Sequence, residues 1–284
     1  MHKKWGLALG AGGFHGIAHL GVLRTLTDEG FFPDLIAGTS AGALAAGLYA
    51  SGVDLGTAAD TIASMNTPQM LDFSGGLRSM VPGLILSRMG IIQGDLVEQA
   101  LEKMTEGRTL AEANPPVAIE AVDLSSGELV VMASFRPPGP SPLPKTVYYT
   151  DATIAQAMRA SISIPGLFVP RQLFGRQLVD GGVRDMVPTR LLRSMGAEVV
   201  VAVDLGTTVD NRQEVTNFPA VIMRALALLE REATRQQLPA TADVLIAPVL
   251  PPFTSLDKKQ IEEHIRLGAG AARAQLPVLR RLLS

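Results

Sequence analysis

The chain has 284 residues, of which 47% are hydrophobic and 18% charged, and it contains no cysteine. This length suits one α/β domain or two small ones with a sizeable core. A net charge of −2 gives no electrostatic attraction to nucleic acid, so no nucleic-acid partner is expected. The lack of cysteine excludes disulfides, a thiol nucleophile and thiolate metal sites.

The first residues have some features of a signal peptide, because Lys3 and Lys4 precede the apolar stretch 5–9. That stretch is short, however, and it runs directly into a glycine-rich segment. We therefore interpret it as a first buried strand. A cytoplasmic protein is expected, peripheral at a membrane at most.

Apolar periodicity then divides the chain into alternating strands and helices. Strands are predicted over 5–9, 35–37, 117–123, 128–134, 177–179, 199–204 and 244–247, and helices over 16–30, 41–51, 55–65, 95–106, 153–161, 187–195, 215–237 and 256–283. The short segment LSSG joins the third and fourth strands as a hairpin. This alternation predicts an α/β fold with a mainly parallel central sheet covered by helices on both faces.

The stretch 34–52 has no charge between its first aspartate and Val53, and its length would suffice to cross a bilayer. Small residues dominate it, and the sequence GTSAG interrupts it at residues 38–42, so a membrane span is not predicted. A strand, a Gly-x-Ser-x-Gly turn and a helix are typical of a nucleophile elbow. Ser40 is then the candidate nucleophile, although it would also suit a simple helix N-cap.

The glycine loop, residues 10–16 (GAGGFHG), lies between the first strand and the first helix. Backbone N–H groups at such a point bind anions. A dinucleotide fingerprint fails here because His15 occupies the position of its last glycine. The amides of Gly12, Gly13 and Phe14 are instead candidates for an oxyanion hole, with an ordinary tight turn as the alternative.

Asp180 follows the strand 177–179 and is followed by two glycines. The carboxyl ends of strands are where α/β sheets place their sites. Asp180 is therefore a candidate to accept the proton from Ser40, directly or through a histidine, and we expect the two side chains to lie within hydrogen-bond distance. A common Asp-Gly-Gly turn is the alternative reading.

Histidines offer little support for a triad or a metal site. His264 would complete the order Ser, Asp, His, but it lies in the charged segment DKKQIEEHIRL, so we expect a solvated helical residue. His15 and His19 have the spacing of zinc ligands, yet the glutamate of H-E-x-x-H is missing. We expect no metal and no cofactor.

Four segments, in their order along the chain, together resemble the patatin-like phospholipase family and in particular its bacterial members: GAGGFHGIAHLGVL, IAGTSAGAL, RASISIPGLF and DGGVRDMVP. GIIQGD and AVDLSSGELVV fit as well, and the likeness covers about 6–205. The resemblance implies a three-layer α/β/α fold and a Ser-Asp dyad without histidine, with Ser40 as nucleophile and Asp180 as base. It further implies an oxyanion loop at residues 12–14. We expect one domain over 1–284, completed by a C-terminal strand and helices in 206–284.

Two residues depart from the family pattern: His15 replaces an arginine or lysine, and Met186 replaces an asparagine. We expect His15 to bond the oxyanion loop through one ring nitrogen. Because imidazole titrates near pH 6.5, this residue would add a step to the pH–rate curve.

The expected function is that of a serine hydrolase that cleaves carboxylic esters of acyl lipids, as a phospholipase, lysophospholipase or esterase, with transient contact to a membrane surface. Two alternatives stand beside it: a Ser-His-Asp hydrolase that uses His264, and a binding or regulatory protein on a patatin scaffold. The apolar segment 65–92 is predicted to cover the site and line an acyl pocket. The sequence gives no indication of the oligomeric state.

Overall fold

The computed structural model describes residues 3–64, 72, 90–139, 141, 143–206, 218–253 and 257–283. Of the segment 65–92, which was predicted to cover the site, only residues 72 and 90–92 belong to these ranges. The prediction that it forms a cover therefore lies outside the described residues.

Nine strands are described: β1 (Trp5–Leu9), β2 (Leu35–Thr39), β3 (Val117–Asp123), β4 (Leu129–Ala133), β5 (Thr146–Tyr149), β6 (Arg171–Leu173), β7 (Arg176–Asp180), β8 (Val199–Val203) and β9 (Val244–Ile246). The helices described are α1 (Ala18–Asp28), α2 (Ala41–Ala50), α3 (Leu55–Ser64), α4 (Asp95–Met104), α5 (Ile154–Ser161), α6 (Thr189–Ser194), α7 (Phe218–Thr241) and α8 (Lys258–Leu283). A 3₁₀ turn (Gly13–Ile17) precedes α1, so the first α-helix begins later than the predicted residue 16.

The sheet has the order β5-β4-β3-β2-β1-β8-β9, and β7 adds a further pairing to β3. β1 is parallel to both β2 and β8, and β2–β3, β4–β5 and β8–β9 are parallel as well. The β3–β4 pair is an antiparallel hairpin, as LSSG predicted. The mainly parallel sheet is confirmed.

Helices cover both faces of this sheet, because successive side chains of each strand enter two different cores. On β1, Leu7 and Leu9 join one core while Ala8 joins the other. The first core contains residues of α1, α2, α5 and α8, and the second contains residues of α6 and α7. The three-layer α/β/α architecture is therefore confirmed.

Two described strands were absent from the sequence prediction, β5 and β6. Their residues are only partly buried or exposed, so they carry no strong apolar pattern. β5 also follows a proline-rich stretch at 136–144. Their placement depends on pairing with β4 and β7, which local sequence does not encode.

β2 and β7 lie on the same side of β3 and run toward each other. β2 is parallel to β3, and its last residue Thr39 pairs with Glu120. β7 is antiparallel to β3, and its last residue Asp180 pairs with Ala121. The carboxyl ends of both strands therefore meet at one point of β3, and the residue that follows Thr39 is Ser40.

Within the described part of the chain, no helix is both long and apolar enough to cross a membrane.

Candidate active site

Ser40 lies in a sharp turn between β2 and α2, with backbone angles φ 55° and ψ −121°. A positive φ is uncommon for a residue with a side chain and stores local strain. Close backbone contacts enforce the turn. A Cβ atom added to Gly38 would lie 2.3 Å from the oxygen of Gly42, and one added to Gly42 would lie 2.0 Å from the oxygen of Leu9. Glycine is thus required at both positions of Gly-x-Ser-x-Gly.

The hydroxyl of Ser40 donates a hydrogen bond to Oδ2 of Asp180 at 2.6 Å. Both residues are nearly buried, with exposed fractions of 5% and 6%. The other carboxylate oxygen, Oδ1, accepts from the backbone N–H of Gly182 at 2.8 Å. Burial raises the pKa of Asp180 to about 6, although the bonds from Ser40 and Gly182 oppose the shift. Above that pH the carboxylate is ionised and accepts protons.

Residues of α5 and the segment after it support this pair. The backbone N–H of Ser40 donates to Oγ of Ser161 at 2.9 Å, and Ser161 donates to the backbone oxygen of Glu120 at 2.6 Å. The backbone N–H of Asp180 donates to the oxygen of Ser163 at 3.0 Å. Both serines belong to RASISIPGLF, a segment to which the sequence analysis assigned no chemistry.

The glycine loop and Ser40 line the same cavity, and the loop begins with two backbone hydrogen bonds. Gly10 donates to the oxygen of Val203 at 3.0 Å, and Ala11 donates to the oxygen of Met186 at 2.8 Å. Met186 therefore contributes its backbone here. The next three amides, those of residues 12–14, donate to no acceptor in the described ranges.

His19, considered above only as a zinc ligand, supports the glycine loop instead. Its Nε2–H donates to the backbone oxygen of Gly10 at 2.7 Å, and the side chain is completely buried. Burial lowers the pKa of His19 to about 4, while the bond to Gly10 opposes the shift. The ring is thus neutral at physiological pH. The local cue was a histidine on the apolar face of α1, which requires a polar partner when buried.

The predictions for His15 and His264 are corrected. His264 is fully buried rather than solvated, because it shares the buried face of α8 with Ile261 and Gly268 at helical spacing. Its Nε2 lies 3.1 Å from Nδ1 of His15, and its Nδ1–H donates to the oxygen of Gln260 at 2.8 Å. The ring of His15 bonds α8, not the loop backbone as predicted.

The pKa of His15 is lowered to about 4, first by burial and second by the neighbouring His264. Both ring nitrogens of His264 have partners other than Ser40, whose hydroxyl bonds Asp180. The arrangement of a Ser-His-Asp triad is therefore not formed.

An aromatic contact joins the glycine loop to the segment before α8. The rings of Phe14 and Phe253 stack with centroids 5.7 Å apart. Phe253 also meets the ring of His264 edge to face at 4.9 Å. Phe14 is nevertheless 61% exposed, although it also lines the cavity beside Ser40.

An apolar cavity of about 390 Å³ opens beside Ser40. It follows one face of α2, where Ser40, Leu44 and Leu48 succeed one another at helical spacing. Its other lining residues are Gly13, Phe14, Gly16, Ile17, Leu20, Ala41, Ala45, Ile92, Val97, Leu101, Ile162, Ile164, Leu167 and Phe168. Ile92 is the last residue of the segment predicted to line an acyl pocket.

The chain is similar to known proteins in both sequence and fold. The sequence profile for patatin-like phospholipases matches residues 7–193. An uncharacterized NTE family protein of Mycobacterium tuberculosis is 29% identical over 201 residues, which are 70% of this chain and 48% of that protein. A protein of Coccidioides immitis named lysophospholipase NTE1 is 28% identical over 212 residues, which are 74% of this chain and 12% of that protein.

Among solved structures, VipD from Legionella pneumophila matches 98% of this chain and 67% of its own, with a TM-score of 0.58 and 16% sequence identity. This likeness shows a common fold. The chain spans about half the length, or less, of the two curated relatives named above.

Proposed function

Since the chain belongs to the patatin-like phospholipase family, we propose that it is a serine hydrolase that cleaves carboxylic ester bonds of acyl lipids through a Ser40–Asp180 dyad. One observation carries the proposal: the Ser40 hydroxyl, 2.6 Å from a buried carboxylate, lies at an apolar cavity of about 390 Å³. A nucleophile needs an adjacent base, and the hydrogen-bonded pair of Ser40 and Asp180 suits these two roles.

The reaction has two halves. Ser40 Oγ attacks the ester carbonyl while Asp180 takes its proton, and the tetrahedral oxyanion is bound by the amides of Gly12, Gly13 and Phe14. The C–O bond to the alcohol breaks, and Asp180 returns the proton to the leaving oxygen. Water then attacks the acyl-enzyme, Asp180 takes the water's proton, and Ser40 recovers it as the fatty acid leaves.

The protonation state of Asp180 suits this role. Because burial raises its pKa to about 6, the carboxylate is ionised at neutral pH yet is a stronger base than an exposed aspartate. We expect kcat/KM to rise with pH and to level off above about pH 6. A protonated Asp180 cannot accept the proton of Ser40, which explains the direction of the change.

The cavity supports an acyl group as the part of the substrate that is bound. From Ser40 to Leu48 it follows α2 for eight residues, or roughly 12 Å at the rise of an α-helix. Each methylene that enters contributes about 0.8 kcal/mol. The Coccidioides relative is named a lysophospholipase, which is compatible with a single-chain lipid substrate.

The test combines two variants with one matched control. Ser40→Ala should abolish labelling by a fluorophosphonate and hydrolysis of p-nitrophenyl esters, while Asp180→Asn should reduce hydrolysis by several orders of magnitude. The control is Ser125→Ala, at an exposed position of the β3–β4 turn. Circular dichroism should show the same fold for all three.

Three outcomes decide between the proposed hydrolase and its alternatives. Full hydrolysis by Ser40→Ala overturns the proposal. Hydrolysis that Asp180→Asn leaves intact overturns the dyad. Labelling of Ser40 without turnover on any ester, lysophospholipid or phospholipid indicates the second candidate, a binding or regulatory protein on this scaffold.

A further inference from the structure

α8 begins beyond the residues that the family profile matches, which end at 193, and yet one of its side chains reaches the glycine loop. We propose that His264 is a positioning residue, which holds the glycine loop through the ring of His15 so that the oxyanion amides face Ser40. The inference rests on the proposed function for its catalytic consequence.

The hydrogen bonds of the two rings have a defined direction. The backbone oxygen of Gln260 can only accept, so Nδ1 of His264 carries the proton of that 2.8 Å bond. In the neutral ring, Nε2 is then the acceptor. His15 must therefore donate from Nδ1 across the 3.1 Å contact. The chain of bonds runs from the glycine loop to the backbone of α8.

The acceptor on α8 is held rigidly. The backbone of Ile265, the residue after His264, contacts α1 so closely that a Cβ added to Gly21 would lie 1.9 Å from its oxygen. The ring of Phe253 also meets His264 at 4.9 Å and His15 at 6.0 Å. A buried side chain held by such packing places its nitrogen reproducibly.

The donor belongs to the turn that carries the oxyanion amides. His15 directly follows Phe14 in the 3₁₀ turn Gly13–Ile17, and its own N–H donates to the oxygen of Gly12 at 3.1 Å. Fixing the ring of His15 therefore restricts the orientation of the two peptide units before it. Because the oxyanion exists only after attack, a loosened loop should lower kcat far more than it changes KM.

Amide side chains allow the bond to be removed at either end without a change of charge. A glutamine carboxamide reaches about as far as Nε2 of histidine, whereas an asparagine carboxamide reaches only about as far as Nδ1. His264→Gln therefore keeps an acceptor for His15, and His264→Asn keeps only the bond to Gln260. At the other end, His15→Asn keeps a donor at the Nδ1 position and His15→Gln does not.

We expect kcat for ester hydrolysis to fall about tenfold in His264→Asn and His15→Gln, with KM changed less than twofold, as is typical for the loss of one hydrogen bond. His264→Gln and His15→Asn should retain at least a third of the wild-type kcat. The double variant His264→Asn/His15→Gln should be no slower than either single one, because both remove the same bond. Arg266→Gln, exposed on the same helix, serves as the control and should match wild type.

A second readout needs no turnover. Amide hydrogen exchange of residues 10–17 should accelerate in His264→Asn but not in His264→Gln, while the core strand β1 exchanges as in wild type. If Asn and Gln at position 264 give equal kcat and equal exchange, the inference is overturned and His264 is only a packing residue. A wild-type chain without ester hydrolysis or fluorophosphonate labelling overturns the proposed function instead, and the exchange measurement still decides the role of His264.

Discussion

The two halves of the candidate site are held in place by different means. At the elbow, the backbone itself fixes Ser40, because the oxygens of Leu9 and Gly42 leave no room for a Cβ at residues 42 and 38. Backbone bonds fix the start of the glycine loop at Gly10 and Ala11. The loop is also held by side chains from elsewhere, His19 on α1 and His264 on α8. The proposed nucleophile is thus positioned by local sterics, whereas the proposed oxyanion amides depend in part on side-chain contacts that substitutions can remove one at a time.

The largest effect should follow from adding one methyl group at the elbow. In Gly42→Ala the Cβ would lie 2.0 Å from the oxygen of Leu9, so β1 and α2 must separate. We expect a loss of more than about 4 kcal/mol in the free energy of unfolding, measured by urea denaturation.

The matched control is Gly270→Ala on α8, where an added Cβ meets nothing within 4 Å. Here alanine should stabilise the helix by about 0.5–1 kcal/mol. If Gly42→Ala and Gly270→Ala unfold at similar urea concentrations, steric control of the elbow is wrong.

The second-largest effect on stability concerns the negative charge of Asp180 beside Ser40. The folded-state pKa of Asp180, about 6, lies above its ordinary value of 3.8. The group therefore stabilises the fold fully below pH 3.8, and this contribution is lost as pH rises through 6. Asp180→Asn should raise the free energy of unfolding at pH 8 by up to about 3 kcal/mol, with little gain at pH 4.

Urea unfolding at both pH values checks this expectation, with the exposed Asp60→Asn as the control. A gain at pH 8 equal to that at pH 4 would contradict the raised pKa. The ionised Asp180 would then lower stability where the proposed chemistry needs it, since the variant expected to be more stable is also the one expected to lose activity.

A smaller effect is expected in the glycine loop. His19→Ala removes the donor to the buried oxygen of Gly10 and should cost about 1–3 kcal/mol in unfolding free energy. His19→Gln, with an amide donor near the position of Nε2, should recover part of this unfolding free energy. It should also recover part of the kcat that His19→Ala loses. If alanine and glutamine at position 19 behave alike, the bond to Gly10 does not support the loop.

The smallest effect should come from the loop's own backbone. Gly13 has φ +54° but open space around it, since nothing lies within 4 Å of an added Cβ. Gly13→Ala should therefore cost only about 1–2 kcal/mol of backbone strain, in contrast to Gly42→Ala. Equal losses for the two alanine variants, again by urea unfolding, would remove the distinction between elbow and loop.

Much of the fold could be predicted from the sequence because the relevant signals are local. The buried strands β1, β2, β3 and β8 are compact apolar runs, and glycines mark the turn at Ser40. The placement of Asp180 opposite Ser40 followed from the resemblance and from the rule that sites lie at the carboxyl ends of strands. The apolar periodicity of the strands did not by itself predict the distance between the side chains of Ser40 and Asp180.

The remainder depends on contacts between distant parts of the chain. His264 lies among charged residues in sequence, and only the packing of α8 against α1 shows that it faces inward, toward a partner 249 residues away. His19 gave a clear signal of burial but none of its acceptor. The half-buried β5 lacks a pattern of its own and forms because β4 offers an edge.

The strand β3 sets the distance between Ser40 and Asp180, because both β2 and β7 pair with it. Ser40 and Asp180 are 140 residues apart in the chain, but Thr39 and Asp180 pair with two consecutive residues of β3, Glu120 and Ala121. The turn at Ser40 is formed by contacts among β1, β2 and α2. The carboxylate of Asp180 reaches Ser40 only when β7 pairs with β3. A partly folded chain, or one truncated before β7, would therefore carry Ser40 without the carboxylate that we propose as its base. Under that proposal, labelling of Ser40 by a fluorophosphonate would report on the completion of folding as much as on catalysis.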